Sequence, residues 1–202
     1  MQRWQYQKGL HETGDGIYAW LQPDGGWGWS NAGLIADSGE SLLVDTLFDA
    51  VLTQEMLTAM ADASGISAEM IDTVVNTHAN GDHTHGNGLC TKAEVIASES
   101  SAKEMEAFTP EMMQRFMDSA DQLGEVGTYL KNAFGPFDFT QVAEKLPTRT
   151  FNGQLSLAVG NKAIELIEVG SAHTRGDVLV HVPEDKTVFT GDILFIEGTP
   201  LM

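Results

Sequence analysis

The chain has 202 residues and a mass of 21.9 kDa, the size of a single domain of roughly 100–200 residues. With 42% hydrophobic residues, 20% charged residues and one cysteine, it is neither a disordered tail, nor a collagen-like fibre, nor a disulfide scaffold. Eleven Lys and Arg against 29 Asp and Glu give a net charge of −18, which repels phosphate backbones and anionic lipid heads, so neither nucleic acid nor a membrane surface is expected as a partner.

The first part of the chain reads as β. Residues 17–21, 33–36 and 41–45 are short apolar runs, separated by Pro23-Asp24-Gly25-Gly26 and Asp37-Ser38-Gly39-Glu40, which are turn sequences. The Gly-rich loop from Gly25 to Gly33 carries Trp27 and Trp29; two indoles there either fold back onto the body or form a flap over a pocket. Residues 49–63 predict a helix, because Leu52, Met56, Leu57 and Met60 recur at spacings of three and four. Gly65 supplies its stop. Residues 71–75 are a β-branched run with the look of a buried strand, and residues 94–97 form a further short strand.

Residues 98–145 are helical in composition, with breaks expected at Pro110, Gly124, Gly127 and Gly135-Pro136. This stretch is rich in Met and Phe and interrupts a strand-rich pattern, which makes it a candidate insertion and lid. Residues 155–159, 163–169, 178–182 and 187–190 return to β, and Pro183-Glu184-Asp185-Lys186 turns the last two into a hairpin. The order of elements predicts a single domain over 1–202, of mixed α/β class, with two sheets and helices outside.

Three loops carry the chemistry. The first is Thr77-His78-Ala79-Asn80-Gly81-Asp82-His83-Thr84-His85-Gly86-Asn87, directly after a predicted buried strand. At an extended strand end, residues i and i+2 point the same way, so His78 and Asn80 converge on one point. Gly81 can then turn the chain with φ > 0, which lets Asp82 and His83 face a second point. Asp82 is also a candidate N-cap of a short helix. The second loop is Gly170-Ser171-Ala172-His173-Thr174-Arg175-Gly176-Asp177 and the third is Thr190-Gly191-Asp192. Any one of them alone reads as structural, but three strand-end loops bearing His and Asp in one chain point to a metal centre. Imidazole and carboxylate donors suit Zn²⁺ with an open position for water. They also suit iron or manganese. A carboxylate such as Asp192 can bridge two cations.

These motifs resemble the metallo-β-lactamase-fold hydrolases. The family's H-x-H-x-D-H motif stands here as His78-Ala79-Asn80-Gly81-Asp82-His83, its next ligand is matched by His173, and its bridging Asp after a Thr-Gly pair is matched by Asp192. Asp45 resembles the family's buttressing Asp. The resemblance implies a four-layer αββα sandwich. It also implies that His78, Asn80 and His173 hold a first zinc ion and Asp82, His83 and Asp192 a second, with Asp192 shared. Asn80 stands where the family has His. This implies weaker affinity at the first position, or an Asn80 that only supports a ligand. His85 lies beyond the turn and is not expected to replace it. The family brings one more His from well past the Thr-Gly-Asp motif, whereas this sequence stops ten residues after Asp192. The C-terminal strands and helix are therefore expected to be missing, and a bared sheet edge invites pairing with a second copy.

The expected activity is hydrolysis of a small ester, lactone, thioester or related carbonyl compound through a metal-bound hydroxide. Asp82 is the expected catalytic residue, orienting the nucleophile and carrying a proton to the leaving group. Two alternatives are an iron-dependent sulfur dioxygenase of the same fold and a non-catalytic or impaired member. The lone Cys90 fits a reducing compartment. Residues 1–20 lack the apolar stretch of a signal peptide, and no segment approaches the ~20 apolar residues of a membrane helix. A cytoplasmic protein is expected, and secreted β-lactam degradation is not. His11, His181 and Cys90 read as ordinary structural residues, and Asp177 as a turn residue behind His173.

Overall fold

A computed structural model describes residues 7–196. Seven strands form one sheet in the order β1 (Gly9–Gly14), β2 (Ile17–Leu21), β3 (Ala32–Asp37), β4 (Glu40–Val44), β5 (Thr73–Val75), β6 (Glu94–Ser98), β7 (Arg149–Phe151). The first four run as an antiparallel meander and the last four are parallel. A second, antiparallel sheet has the order β11 (Thr187–Phe189), β10 (Val178–Val182), β9 (Lys162–Glu168), β8 (Gln154–Val159).

The two sheets face one another. Ile17, Ile35, Leu42, Val44, Val75 and Ile96 from the large sheet meet Ile164, Leu166, Val178, Val180 and Val182 from the small one. Because side chains alternate along a strand, the neighbouring residues Leu34, Leu43, Val74 and Val95 lie on the opposite face, where Met56, Leu57 and Met60 of α1 (Ala50–Ser64) cover them. Burial on both faces is why β4 and β5 read as continuous apolar runs rather than alternating ones. Each fully buried Leu or Ile in these layers contributes about 1.5–3 kcal/mol of transfer free energy. The expected helix over 49–63 is therefore present, with Asp49 as its cap: the carboxylate accepts from Leu52 N at 2.8 Å.

Residues 98–145 form α3 (Glu99–Met105), α4 (Pro110–Ser119) and α5 (Gly124–Phe134), with α2 (Gly81–Thr84) in the metal loop before them. Ser98 and Thr109 cap α3 and α4 with their hydroxyls. Gly127 does not break the helix as expected. It lies inside α5, where a side-chain carbon would stand 1.7 Å from Ala120 O, so its small size serves close packing. Two strands were not expected: β1 and β7, which are short or polar and are held by pairing with β2 and β6. The outward face of the small sheet, including Ser156, Ala158, Ala163 and Glu165, is exposed. No helix of the described residues is long and apolar enough to cross a membrane.

The strand ends matter most. Asp45 follows β4, His78 follows β5, His173 follows β9 and Asp192 follows β11. All four loops gather at one end of the sandwich.

Candidate metal centre

Asp45 organises the centre. It is buried and adopts φ 62°. Its Oδ1 accepts from Thr77 N at 2.7 Å and its Oδ2 accepts from Thr77 Oγ1, also at 2.7 Å. The same Oδ2 lies 2.9 Å from His83 Nδ1. A hydroxyl has one proton to give, and Thr77 gives it to Asp45. Thr77 Oγ1 must then accept from His78 Nδ1, 3.0 Å away. Both imidazoles thus carry a proton on Nδ1 and turn Nε2 toward the centre, which is how a partner behind a ligating His sets its tautomer.

Those two Nε2 atoms are buried and have no aligned hydrogen-bond partner. His78, His83 and Asp192 each offer a ligand atom, and these all lie within 4.8 Å of one another. His83 Nε2 is 3.2 Å from Asp192 Oδ1 and 3.7 Å from Asp82 Oδ2, and His173 Nε2 is 3.7 Å from Asp192 Oδ2. Two donors that share a tetrahedral ion at ~2.1 Å stand ~3.4 Å apart, so these spacings fit a divalent cation. The donor set, nitrogen with carboxylate oxygen, fits as well. The ring centroids of His78 lie 4.2 Å from those of His83 and 5.1 Å from those of His173.

Asn80 joins the group from the other side, its amide nitrogen 3.1 Å from His173 Nε2. All six residues singled out in the sequence therefore come together: His78, Asn80, Asp82, His83, His173 and Asp192. Local details differ from expectation. Asn80, not Asp82, occupies the N-cap position of α2, and Asp82 lies within its first turn. Gly81 is the first residue of that helix and does not take a positive φ. What requires glycine there is contact: a side-chain carbon would stand 2.5 Å from the His85 ring and 2.8 Å from Phe48. His85 points away from the centre, buried beside Phe48 with centroids 5.3 Å apart.

The second loop is set by Asp177, as expected of a turn residue. Its carboxylate accepts from Ala172 N, Thr174 N and Thr174 Oγ1. Gly176 O accepts from the hydroxyls of Ser98 and Ser101, which ties this loop to the start of α3. The tryptophans divide: Trp29 packs on Phe137 with centroids 5.1 Å apart, while Trp27 is exposed. Ser30, from the same loop, donates to Asp82 O. Cys90 is buried and its thiol is pushed up to about 12 by burial, so it is packing rather than a nucleophile. Sequence reasoning missed Thr77 and Ser30; neither belongs to a recognisable pattern, and only proximity reveals them.

The electrostatics follow from crowding these groups. Burial, and then the neighbouring His83, hold His78 well below the usual imidazole range. Burial also opposes protonation of His83, but Asp192, Asp45 and Asp82 outweigh it and hold His83 well above that range. Burial raises the Asp82 carboxyl against the pull of His83. Asp192 is lowered: burial works to raise it, but His83, His78 and His173 prevail. A proton on His83 and a cation thus compete for one nitrogen.

Two facing sheets with a His/Asp cluster at their loop end define an α/β sandwich with a candidate metal site. The sequence profile of the metallo-beta-lactamase superfamily matches residues 25–202, and the chain belongs to that superfamily. Similar solved structures include a metallo-beta-lactamase from Pontibacter korlensis, with TM-score 0.61 and 18% identity over 91% of this chain and 71% of that one. A metallo beta lactamase from Hirschia baltica matches with TM-score 0.59 and 16% identity over 90% and 69%. A subclass B3 metallo-beta-lactamase of Bradyrhizobium japonicum matches with TM-score 0.57 and 18% identity over 86% and 56%. At these identities the likeness is one of fold. No curated protein matched the sequence.

Proposed function

We propose that the protein is a metal-dependent hydrolase of a small ester, lactone, thioester or related carbonyl compound. The observation that carries this reading is the pair of buried imidazole nitrogens, on His78 and His83, that meet Asp192 without an aligned partner. In this reading His78, Asn80 and His173 would hold one cation and Asp82, His83 and Asp192 a second, Asp192 serving both. Zinc is the metal proposed, one ion or two, with iron or manganese as substitutes. Bound there, the metal supplies Lewis acidity, lowering the pKa of water toward neutrality and polarising a carbonyl.

The chain's own residues would do the rest. Asp82, whose affinity for protons is raised by burial, takes a proton from water and passes it to the leaving group. Asp45 and Thr77 keep the two imidazoles aimed inward. Asn80 stands beside His173, its amide nitrogen 3.1 Å from the Nε2 that would turn to the cation instead. A cleft of about 400 Å³ beside Asn80 and His173 admits a small molecule, with Ala79 and Phe108 as apolar wall. The partner proposed is that small molecule, with no nucleic acid and no membrane surface. Sheet edge β11 is available for pairing with a second copy. A cytoplasmic setting suits the single buried Cys90.

The test is metal analysis of the purified protein, with an ester, lactone, thioester and β-lactam panel run before and after chelation. Hydrolysis that chelation removes and zinc restores is expected. Asp82→Ala should lower kcat by about 100-fold or more, the scale of general acid–base catalysis. A fully active Asp82→Ala sinks the role given to Asp82. Iron with oxygen consumption would select the dioxygenase, and no turnover with any added metal the non-catalytic member.

A further inference from the structure

The cleft beside the metal centre contains one Lys or Arg, Arg175. The chain around it carries 29 acidic side chains against 11 basic ones, so an anion approaching this protein meets a repelling field. An anionic substrate would need a local cation to enter, and Arg175 is placed to provide it.

Its placement is built rather than incidental. Arg175 follows His173 by two residues, in the loop that Asp177 fixes through Ala172 N, Thr174 N and Thr174 Oγ1. The loop is also tied to α3 through Gly176 O. The Arg175 side chain is 81% exposed, and its Nε stands 3.4 Å from Glu104 Oε1. Its two terminal amino groups make no hydrogen bond to the described residues. A guanidinium whose terminal amino groups are not hydrogen-bonded to the described residues matches a planar carboxylate through two parallel hydrogen bonds. Across the cleft stand Asn80 and His173, with Phe108 as the apolar wall.

We propose that Arg175 is the substrate-anion site of the cleft: its terminal amino groups receive a carboxylate, so the preferred substrate is a carbonyl compound that also carries a carboxylate, with an apolar part against Phe108. The word substrate rests on the hydrolase reading above, but the anion site does not. Arg175 is here a specificity residue and takes no part in bond breaking. The competing role is a latch, in which Arg175 and Glu104 merely hold the loop to α3. The two roles predict opposite effects at Glu104. For the anion site, Glu104 is a competing carboxylate, and its removal maintains or strengthens anion binding. For a latch, removal of either partner does equal harm.

The experiment measures binding of phenylacetate and its neutral analogue phenylacetamide by isothermal titration, using the purified wild-type protein and the Arg175→Gln, Arg175→Lys and Glu104→Gln variants. Circular dichroism checks that each variant is folded. In wild type, phenylacetate should bind about tenfold tighter than phenylacetamide, the weight of one charge-assisted hydrogen bond. That ratio should fall to about one in Arg175→Gln, recover in part in Arg175→Lys and be kept or increased in Glu104→Gln. No binding of phenylacetate, an unchanged ratio in Arg175→Gln, or an equal loss in Glu104→Gln overturns the proposal. The ester panel separates the two readings. A carboxylate preference without any hydrolysis removes the hydrolase and keeps the anion site, and hydrolysis without the preference removes the anion site alone.

Discussion

The loop after β5, residues 76–87, and the helical stretch over residues 99–134 invert the usual distribution of polar and apolar side chains. In the loop, Asn76, Thr77, His78, His83 and Asn87 are each 2% exposed or less. In the helices, Phe116, Leu123, Val126 and Tyr129 are 41–61% exposed. The loop can bury most of its polar groups because they find partners; the exceptions are the ring nitrogens His78 Nε2, His83 Nε2 and His85 Nδ1. Asn76 Nδ2 donates to His83 O, Asn87 Nδ2 donates to Asn76 Oδ1 and to Lys145 O, and Thr46 Oγ1 donates to Asn87 Oδ1. In the helices, Met113, Met117 and Phe134 pack on the Phe48, Phe137 and Phe139 cluster and Met105 packs on Ala79 and Ala97, whereas Phe116, Leu123, Val126 and Tyr129 stay exposed. Burial here follows the supply of partners, not residue type.

The strongest way to break this contrast is Asp45→Ala. It strips Thr77 N, Thr77 Oγ1 and His83 Nδ1 of their acceptor. Leaving such groups buried and unpaired should cost about 3–5 kcal/mol, read by urea unfolding. A loss below 1 kcal/mol would show that the loop does not depend on its buried acceptor.

His85 tests the same region through pH. Burial lowers its pKa from 6.5 to about 4. As pH falls below 6.5 the unfolded chain takes up a proton that the folded chain refuses until about pH 4, so stability rises with pH across that window and is lost on acidification. The full shift corresponds to about 3 kcal/mol. His85→Phe keeps the ring against Phe48 and Phe139 and removes this proton. Unfolding of the metal-free protein at pH 7 and pH 4.5 should show a smaller difference in the variant; an unchanged difference would remove His85 from the acid response.

Lys145 joins the two regions. Its ammonium donates to Cys90 O, Thr91 O and Ala93 O at 2.6, 3.1 and 2.8 Å, pinning the chain that follows the helical stretch to the segment just past the His-rich loop. Lys145→Met should cost about 1.5–3 kcal/mol, the range for hydrogen bonds to a charged group, measured by thermal or urea unfolding. The smallest effect belongs to the helices: Val126→Ser, at a position 61% exposed, should change stability by less than about 0.5 kcal/mol. A larger loss would mean that Val126 is covered in solution, and sedimentation would then report a partner.

Much of this was legible in the residues themselves. The runs over 71–75 and 178–182 became β5 and β10, and the spacing of Met56, Leu57 and Met60 became the buried face of α1. His78, Asp82, His83, His173 and Asp192 stood out because strand ends present their side chains to a shared crevice. β1 was not legible, since Gly-Leu-His-Glu-Thr-Gly has no apolar alternation and becomes a strand by pairing with β2. Nor was the division between Trp29 and Trp27, which depends on where Phe137 arrives from the far end of the helical stretch.

Period and spacing are properties of a few consecutive residues, so strands, helices and ligand types could be read from short stretches of chain. The direction of the imidazole nitrogens at the candidate site could not. It rests on Asp45 meeting Thr77 and His83 across 32 and 38 residues, and on Asn80 meeting His173 across 93. The first two contacts exist only once β4 and β5 have paired and the third only once both sheets have packed, and it is their geometry that brings six polar side chains into one centre.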